Sequence, residues 1–287
     1  MLRFSKNCSY CGNEMDSFDE KCPVCYEANN DPVVKKEKMV AHFVWWRQLL
    51  FFAVGWVGFQ VIGSTVMLLL NLIGHQTSSL TNFLTYILLC SAMVLIIWTD
   101  SKEILKSFKS WKPFVFGIAG YIVILILANL YENTAFAILG QFGIKQAVNS
   151  NEASVREVSA YYPLLSFIIF GFIGPICEEL TYRVGLFGLT RRVNLVFAFV
   201  ITTIVFACIH FKDEALINFI INPSDSNRYT LIIELVNLPS YMIAGFVFTF
   251  LYHKWGFAAS ITAHVANNSL IIIMQTIRRG LEGLLNG

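Results

Sequence analysis

The chain has 287 residues, of which 56% are hydrophobic and only 14% are charged. Soluble domains carry about 25% charged residues, whereas the mean hydropathy of this sequence is +0.60. The formal net charge of +2 is too small to indicate a nucleic-acid partner. The composition therefore excludes an ordinary water-soluble enzyme and indicates an integral membrane protein.

The polar N-terminal segment contains two Cys-x-x-Cys pairs, Cys8 with Cys11 and Cys22 with Cys25. Ten residues separate the pairs, which is the spacing of a short zinc ribbon with four thiolate ligands. A module this small has almost no hydrophobic core, so bound zinc would supply its folding energy. The sequence therefore predicts a structural zinc ribbon over residues 1–30.

The ribbon is expected to lie in the cytoplasm, because the polar N-terminal segment contains no apolar stretch typical of a secretory signal peptide. Binding of a protein partner, sensing, or gating of substrate entry would all be compatible with it. Its loop is acidic, at Glu14, Asp16, Asp19 and Glu20, which again disfavours nucleic acid. A charged linker over residues 31–47 is predicted to join it to the rest of the chain.

The remainder of the chain is rich in apolar segments that approach or exceed the roughly 20 residues needed to cross a membrane. Seven of them lack Asp, Glu, Lys and Arg: 48–74, 80–99, 113–131, 161–177, 193–211, 235–252 and 255–277. Two shorter pieces, 133–144 and 215–223, leave seven or eight spans open. Because helices satisfy their own backbone hydrogen bonds in lipid, an all-α polytopic transmembrane bundle is predicted over residues 48–287.

Orientation in the membrane follows the distribution of lysine and arginine near the spans. A cytoplasmic N-terminus places most of these cations on the inner side, and the opposite loops hold fewer. The sequence therefore predicts a multi-pass protein of the plasma membrane with its N-terminus inside. The inner cations would be Lys35, Lys36, Lys38, Arg47, Lys102, Lys106, Lys109, Lys112, Arg191 and Arg192.

Ionisable residues inside spans usually mark function, because each costs roughly 2.5–3.5 kcal/mol at the membrane centre. Here they occur near three spans. The fourth span continues into Glu178, Glu179 and Arg183, the fifth ends at His210, and the last carries His264 and Asn268.

Helical spacing sorts these side chains. Glu179 and Arg183 are four residues apart, which predicts an ion pair on one helix face. Glu178 is rotated by about 100° from its neighbour, so we expect it to point elsewhere and to face a cavity. A turn near residues 191–194 would place Glu178 and His210 at similar depths in an antiparallel pair. His264 and Asn268 are likewise four apart and share a face.

A carboxylate, two imidazoles and an amide in a partly dry pocket suit peptide hydrolysis. The carboxylate can take a proton from water, and a histidine can position that water. A second imidazole and an amide can donate to the developing oxyanion. Each polar group alone is more often a simple contact between helices. Their occurrence together, at helical spacings in three helices, favours a functional site.

These residues resemble the motifs of the CPBP family, which includes the type II CAAX prenyl proteases and the bacterial Abi proteins. That family is marked by E-E-x-x-x-R, then F-x-x-x-H, then H-x-x-x-N or D on successive core helices. In this chain the second motif runs from Phe206 to His210, and the similarity covers about residues 161–277. One departure is Val184, which stands where many members have glycine.

The resemblance implies an intramembrane endopeptidase acting on a membrane-associated protein or peptide. It implies these roles: Glu178 activates water with His210, His264 and Asn268 stabilise the oxyanion, and Glu179 with Arg183 holds the site. The prenyl group of the CAAX substrates is not carried over.

One glutamate and two histidines also resemble the ligand set of zinc proteases, although no H-E-x-x-H motif is present. The resemblance to the prenyl proteases implies instead a glutamate-activated water without a catalytic metal, and this interpretation is favoured. Two non-enzymatic alternatives stand beside it. One is an immunity or scaffold protein that binds a peptide in the same cavity. The other is a transporter or channel with Glu178 as ion relay, disfavoured because the sequence has no repeat symmetry.

Overall fold

The structure is a computed structural model that describes residues 5–9, 11–19, 21–25, 39–75 and 77–286, with side chains as far as residue 282. Within these residues a short β-hairpin is followed by nine helices. The strands are β1 (Ser5–Asn7) and β2 (Glu14–Asp16). The helices are α1 (Trp45–Leu72), α2 (Ser78–Lys109), α3 (Lys112–Gly140), α4 (Ser150–Tyr161), α5 (Pro163–Thr190), α6 (Leu195–Cys208), α7 (Asp213–Ile221), α8 (Asp225–Trp255) and α9 (Phe257–Asn286).

Six helices are long and apolar enough to cross a membrane, and α6 with α7 forms a further candidate span bent by 66°. Each of the seven predicted segments overlaps one of these elements, which confirms the all-α membrane bundle. The short apolar piece 133–144 lies mainly at the end of α3, and 215–223 lies mainly in α7. The described residues therefore supply up to seven crossings, and the alternative of eight is wrong.

Helices α5 and α9 form the centre of the bundle. In the most apolar 18-residue stretch of each helix, half of the residues are buried within the protein, against 11% in α1 and 17% in α3. The outer helices instead turn leucine, valine and isoleucine side chains outwards, as in Leu95, which is 75% exposed. Such a surface suits contact with lipid tails rather than water. The polar residues are thus concentrated in the two helices that lipid contacts least.

Close helix contacts depend on small residues, as is usual in membrane bundles. A Cβ atom added to Gly185 of α5 would lie 2.8 Å from the backbone nitrogen of Phe52 in α1. One added to Gly117 of α3 would lie 2.7 Å from the carbonyl oxygen of Ala259 in α9. Both approaches are too close for any side chain, so these two glycines set the distances between their helices.

Helix α5 widens into π-helical turns at two places, Ile169–Ile173 and Glu179–Phe187. Turns of this kind shift the direction of the side chains that follow and are frequent at functional sites. The second stretch begins at one of the two adjacent glutamates of the sequence motif. The backbone of α5 thus departs from the regular α-helix from which the directions of Glu178 and Glu179 were predicted.

The N-terminal hairpin packs on the bundle at the end of α5. Asp16 of β2 accepts two hydrogen bonds, of 2.8 and 3.0 Å, from Arg192, which also donates to Gln48 and to the carbonyl of Phe43. Phe18 is 4% exposed and lies under the guanidinium group of Arg192, 5.0 Å from its ring centroid.

Part of the predicted linker is structured. Residues 31–38 lie outside the described residues, but Val40, Ala41 and Phe43 are buried against the bundle. Helix α1 begins at Trp45, three residues before the predicted start of the bundle at residue 48.

Candidate active site

Glu179 lies fully buried at the centre of the bundle, where three partners compensate its charge. Its Oε1 atom is 3.2 Å from Nη1 of Arg183 and 2.8 Å from Nδ1 of His264. The hydroxyl of Ser260 donates to its other oxygen. A buried carboxylate is tolerated only when it is paired and hydrogen-bonded. The predicted ion pair of Glu179 with Arg183 is therefore present.

Glu178 has a different environment although it is the adjacent residue. Its side chain is 16% exposed, and its Oε2 atom lies 3.6 Å from Nε2 of His264. That oxygen is buried and has no hydrogen-bond partner among the described residues. An unsatisfied buried carboxylate oxygen is costly, so its persistence suits a group that binds water or substrate.

The two glutamate side chains lie closer in space than their helical spacing predicts. Glu178 was expected to point elsewhere, but both carboxylates reach the ring of His264, one at each nitrogen. This is possible because the nitrogens of an imidazole lie on two edges of the ring. The proton on Nδ1 is donated to Glu179, which leaves Nε2 directed towards Glu178.

Phe206 connects the two histidines. Its ring centroid lies 5.2 Å from that of His210 and 5.8 Å from that of His264. The guanidinium carbon of Arg183 lies 4.3 Å above the same ring, a cation–π contact. Phe248 stacks on His264 at 4.4 Å. The phenylalanine of the F-x-x-x-H motif thus packs between the motif's own histidine and the residues of the other two motifs.

His210 lies in the break between α6 and α7, beyond the predicted turn at residues 191–194, which is confirmed because α5 ends at Thr190 and α6 begins at Leu195. Its ring stacks on Tyr241 at a centroid distance of 4.2 Å. Its Nδ1 atom lies 3.3 Å from the amide nitrogen of Asn151. The imidazole is therefore held at one edge and one face.

Asn268 joins α9 to the first widened stretch of α5. Its amide nitrogen donates to the carbonyl oxygen of Phe170 at 3.1 Å, and its oxygen accepts from Asn267 at 3.2 Å. An amide nitrogen has two N–H groups, so one remains for a ligand after the bond to Phe170.

The four N-terminal cysteines form a second, separate polar cluster. All four sulfur atoms lie within 4.8 Å of one another, with 3.7 Å between Cys8 and Cys25 and 3.6 Å between Cys11 and Cys22. A tetrahedral zinc site with bonds of about 2.3 Å requires sulfur–sulfur distances of about 3.8 Å. Within the described part of the chain this is the one group of Cys, His, Asp and Glu side chains arranged for a metal.

Metal binding by these thiols is helped by the surroundings of Cys11. Hydrogen bonds from the backbone and then from the side chain of Asn13 lower the pKa of Cys11 to about 6. The thiolate is the form that binds metal, and with this pKa Cys11 is mostly a thiolate at neutral pH. The donors and distances fit a tetrahedral metal ion such as zinc.

Comparison with known proteins gives the core a family context. Residues 160–270 match a family model described as Type II CAAX prenyl endopeptidase Rce1-like. The resemblance to the CPBP family is confirmed over this segment. Over 243 residues, the chain is 25% identical to a Bacillus subtilis (strain 168) protein named "Putative membrane peptidase YdiL", covering 81% of this chain and 84% of that protein. No solved structure matches the chain. The similarities support a multi-pass membrane protein related to proteases.

The CPBP-like core also contains neighbours of the motif residues that were not predicted from the sequence. Ser260 precedes His264 by one helical turn, and this i, i+4 spacing was a signal for it. Phe248 and Tyr241 had none, because an aromatic residue in an apolar helix is unremarkable in a sequence. Asn151 lies in a polar segment, where nothing distinguishes it from an ordinary loop residue.

Proposed function

We propose that the protein is an intramembrane endopeptidase that uses Glu178 as the base. The observation that carries this proposal is the contrast between two adjacent glutamates. Glu179 is neutralised by Arg183, His264 and Ser260, whereas Glu178 keeps an oxygen unsatisfied at the same imidazole. A base must be held in place and still have a free oxygen for the proton. Glu178 meets both conditions.

The proposed reaction begins with a water molecule that donates to Glu178 and is oriented by His210. As the water oxygen attacks the peptide carbonyl carbon, Glu178 takes its proton. His264 acts here as an imidazolium, with its Nδ1–H on Glu179 and its Nε2–H free, and this Nε2–H and the second N–H of Asn268 donate to the oxyanion. Glu178 then passes the proton to the peptide nitrogen while the C–N bond breaks. One carboxylic acid product and one amine product result.

We propose that this reaction needs no catalytic metal. Among the described residues the four cysteines are the side chains whose ligand atoms converge for a metal ion, and Glu178, His210 and His264 do not form such a group. The cysteine cluster is the part of the protein to which we assign zinc, with a structural role over residues 1–30. There the ion would hold Cys8, Cys11, Cys22 and Cys25 together, and the module would serve as a docking site for a protein partner rather than for nucleic acid.

The substrate is proposed to be a membrane-associated protein or peptide, because the candidate site lies within the helices that cross the bilayer. We place the protein in the plasma membrane with the cysteine module and the Arg191–Arg192 end of the bundle in the cytoplasm. That end carries the higher density of cations. The bundle from residue 48 onwards, with its core at about 161–277, is taken as one catalytic unit.

The test compares purified wild type with Glu178→Gln in detergent, on a panel of fluorogenic peptides and membrane proteins. We expect cleavage by the wild type and a loss of at least about a hundredfold in the variant, the lower range for removing a general base. Glu214→Gln is the matched control, because Glu214 is exposed on α7. Cleavage that persists in Glu178→Gln would overturn the assignment.

A chelator arm separates the two possible metal roles. Metal analysis of wild type and of the Cys11→Ser/Cys22→Ser variant should show about one zinc ion per chain in the first and none in the second. If that zinc-free variant still cleaves, and chelator leaves its rate unchanged, the glutamate mechanism is supported. Loss of its cleavage on adding chelator, with restoration by zinc, would favour a catalytic metal instead.

A further inference from the structure

A short polar segment, residues 147–151, lies across the end of the bundle opposite the cysteine module; we refer to it as the strap. One face of α8 anchors it, through residues spaced at three and four positions. The anchoring hydrogen bonds run from Asn237 to the carbonyl of Ala147 (3.2 Å), from the backbone N–H of Ser150 to Glu234 (2.7 Å) and from the Tyr241 hydroxyl to Asn149 (3.2 Å).

The strap is also bound to His210. The amide nitrogen of Asn149 donates to the carbonyl oxygen of His210 at 3.1 Å. Asn151 reaches Nδ1 of the ring at 3.3 Å. On the far side, Glu234 accepts from the backbone N–H of Lys212, so the same carboxylate binds both the strap and the break after α6. Backbone and ring of His210 are thus fixed by different strap residues.

The bond from Asn151 determines where the imidazole carries its proton. An amide nitrogen can only donate, so Nδ1 of His210 has to accept. In a neutral imidazole the proton then resides on Nε2. The ring is further restricted by stacking on Tyr241 and by the edge of Phe206, which prevent it from turning over. The free edge therefore presents an N–H group.

We propose that Asn151 is a positioning residue that holds His210 with its proton on Nε2, so that His210 donates a hydrogen bond to the attacking water. This rests on the proposed function and assigns the proton uptake to Glu178 alone. A water that accepts from His210 and donates to Glu178 has a lone pair left for the peptide carbonyl. The alternative is that Asn151 merely fastens the strap. Asn149 and Glu234 already do that, and both are buried whereas Asn151 is partly exposed.

The first test reads the tautomer directly from the nitrogen chemical shifts of histidine-labelled protein. The chain has five histidines, and the His210 signals are identified by their loss in His210→Gln. We expect a protonated Nε2 in the wild type. In Asn151→Asp the carboxylate can only accept, so the proton should move to Nδ1. Ser154→Asp, which adds the same charge at an exposed position of α4, should leave the signals unchanged.

Charged and titratable groups surround His210 on each packed element. Lys212 in the break, Arg183 on α5 and His264 on α9 act on His210 itself, and Glu152 on α4 and Glu234 on α8 act on Tyr241, which stacks on its ring. The spectra are therefore compared at one pH at which the ring is neutral in all variants. A wild-type ring protonated at Nδ1, or a proton that stays on Nε2 in Asn151→Asp, would overturn the proposal.

The second test is kinetic and uses any peptide that the wild type cleaves. Asn151→Ala should lower kcat by about 10- to 100-fold, the range for loss of groups that orient metal-binding histidines, with little change in KM. An unchanged kcat would overturn the positioning role, yet would leave the glutamate mechanism standing if Glu178→Gln is inactive. An active Glu178→Gln would instead refute the proposed function, whichever tautomer is found.

Discussion

Adjacent residues of identical chemistry acquire different roles here through their contacts. Among the described residues, Glu179 has Arg183, Ser260 and His264 as partners, while Glu178 lies at the second nitrogen of His264 and keeps Oε2 without a hydrogen bond. The charge of Glu179 is stabilised by a cation that is itself fully buried and packed on Phe206. The pair is therefore a structural unit, and Glu178 is the member that remains available for chemistry.

Replacement of Arg183 by methionine should destabilise the protein strongly. It leaves the carboxylate of Glu179 without its cation in a fully buried position, and breaking such a pair costs about 3–5 kcal/mol. Arg228→Met is the matched control, because Arg228 pairs with Asp225 at 3.0 Å on an exposed surface. Exposed pairs contribute about 0–1 kcal/mol. Thermal unfolding in detergent measures the stability of both variants. An equal loss of stability in Arg183→Met and Arg228→Met would contradict a stabilising role of the buried pair.

At this scale the sequence predicted the motif residues but not their neighbours. Glutamate, arginine and histidine in a membrane helix are conspicuous because lipid penalises them. The partners that complete the site are ordinary residues in their own context. Tyr241 stacks on His210 from α8, and Asn151 reaches it from 59 positions away in the chain. Only the folded chain brings such side chains together.

Among the helices, the centre of each span was predicted better than its ends. The charge-free part of the fourth span ends at residue 177, but its pattern was expected to continue towards Arg191, and α5 does continue to Thr190. Glu179 and Arg183 are fully buried between α5 and the helices α6, α8 and α9, so they need no contact with lipid. For the same reason α8 begins well before residue 235, since Glu234 binds the strap. The absence of charged residues therefore predicts the ends of a helix poorly where charged side chains are paired inside the bundle.

The contact between α1 and α5 gives a prediction about packing. In Gly185→Ala the new methyl group would lie 2.8 Å from the backbone nitrogen of Phe52, which cannot move aside as a side chain can. We expect a loss of about 1–3 kcal/mol in stability, the usual cost of overpacking. Because Gly185 lies in the same widened stretch as Glu179, peptide cleavage should fall together with stability.

Gly63→Ala makes the same change within α1 and serves as the control. Its methyl group would lie 3.7 Å from Thr85, which is an ordinary contact. Alanine also favours a helix over glycine by up to about 1 kcal/mol. The unfolding temperature of Gly63→Ala should therefore be unchanged or raised. A comparable loss in both variants would show that the contact at Gly185 is not the cause.

Over the whole molecule, the cysteine module is joined to the helix that carries the glutamates. Arg191 and Arg192 directly follow the end of α5, and Arg192 binds Asp16 of the hairpin from 176 positions away. Hydropathy and cysteine spacing each identified one part, but neither contains information about this contact. The arginines were interpreted as inner-loop cations. In the structure, Arg192 is 1% exposed and forms part of an interface.

This interface should depend on pH through Asp19. Partial burial, followed by the nearby charge of Asp16, raises its pKa from 3.8 to about 6, with Arg192 and Glu103 as the other charged groups close by. An undocked module would return Asp19 to its usual pKa. Between about pH 4 and pH 6 the docked state then binds more protons than the undocked one. Docking should therefore weaken as the pH rises through this window and level off above it.

Hydrogen exchange of the hairpin amides measures docking, once rates are corrected for the intrinsic effect of pH. From pH 5 to pH 7 we expect protection to fall in the wild type, with zinc content checked at each pH. In Asp19→Asn, which mimics the protonated acid, protection should stay high and should no longer fall between pH 5 and pH 7. Asp213→Asn, an exposed acid at the start of α7, is the control and should keep the wild-type slope. If Asp19→Asn also keeps it, another group governs the interface.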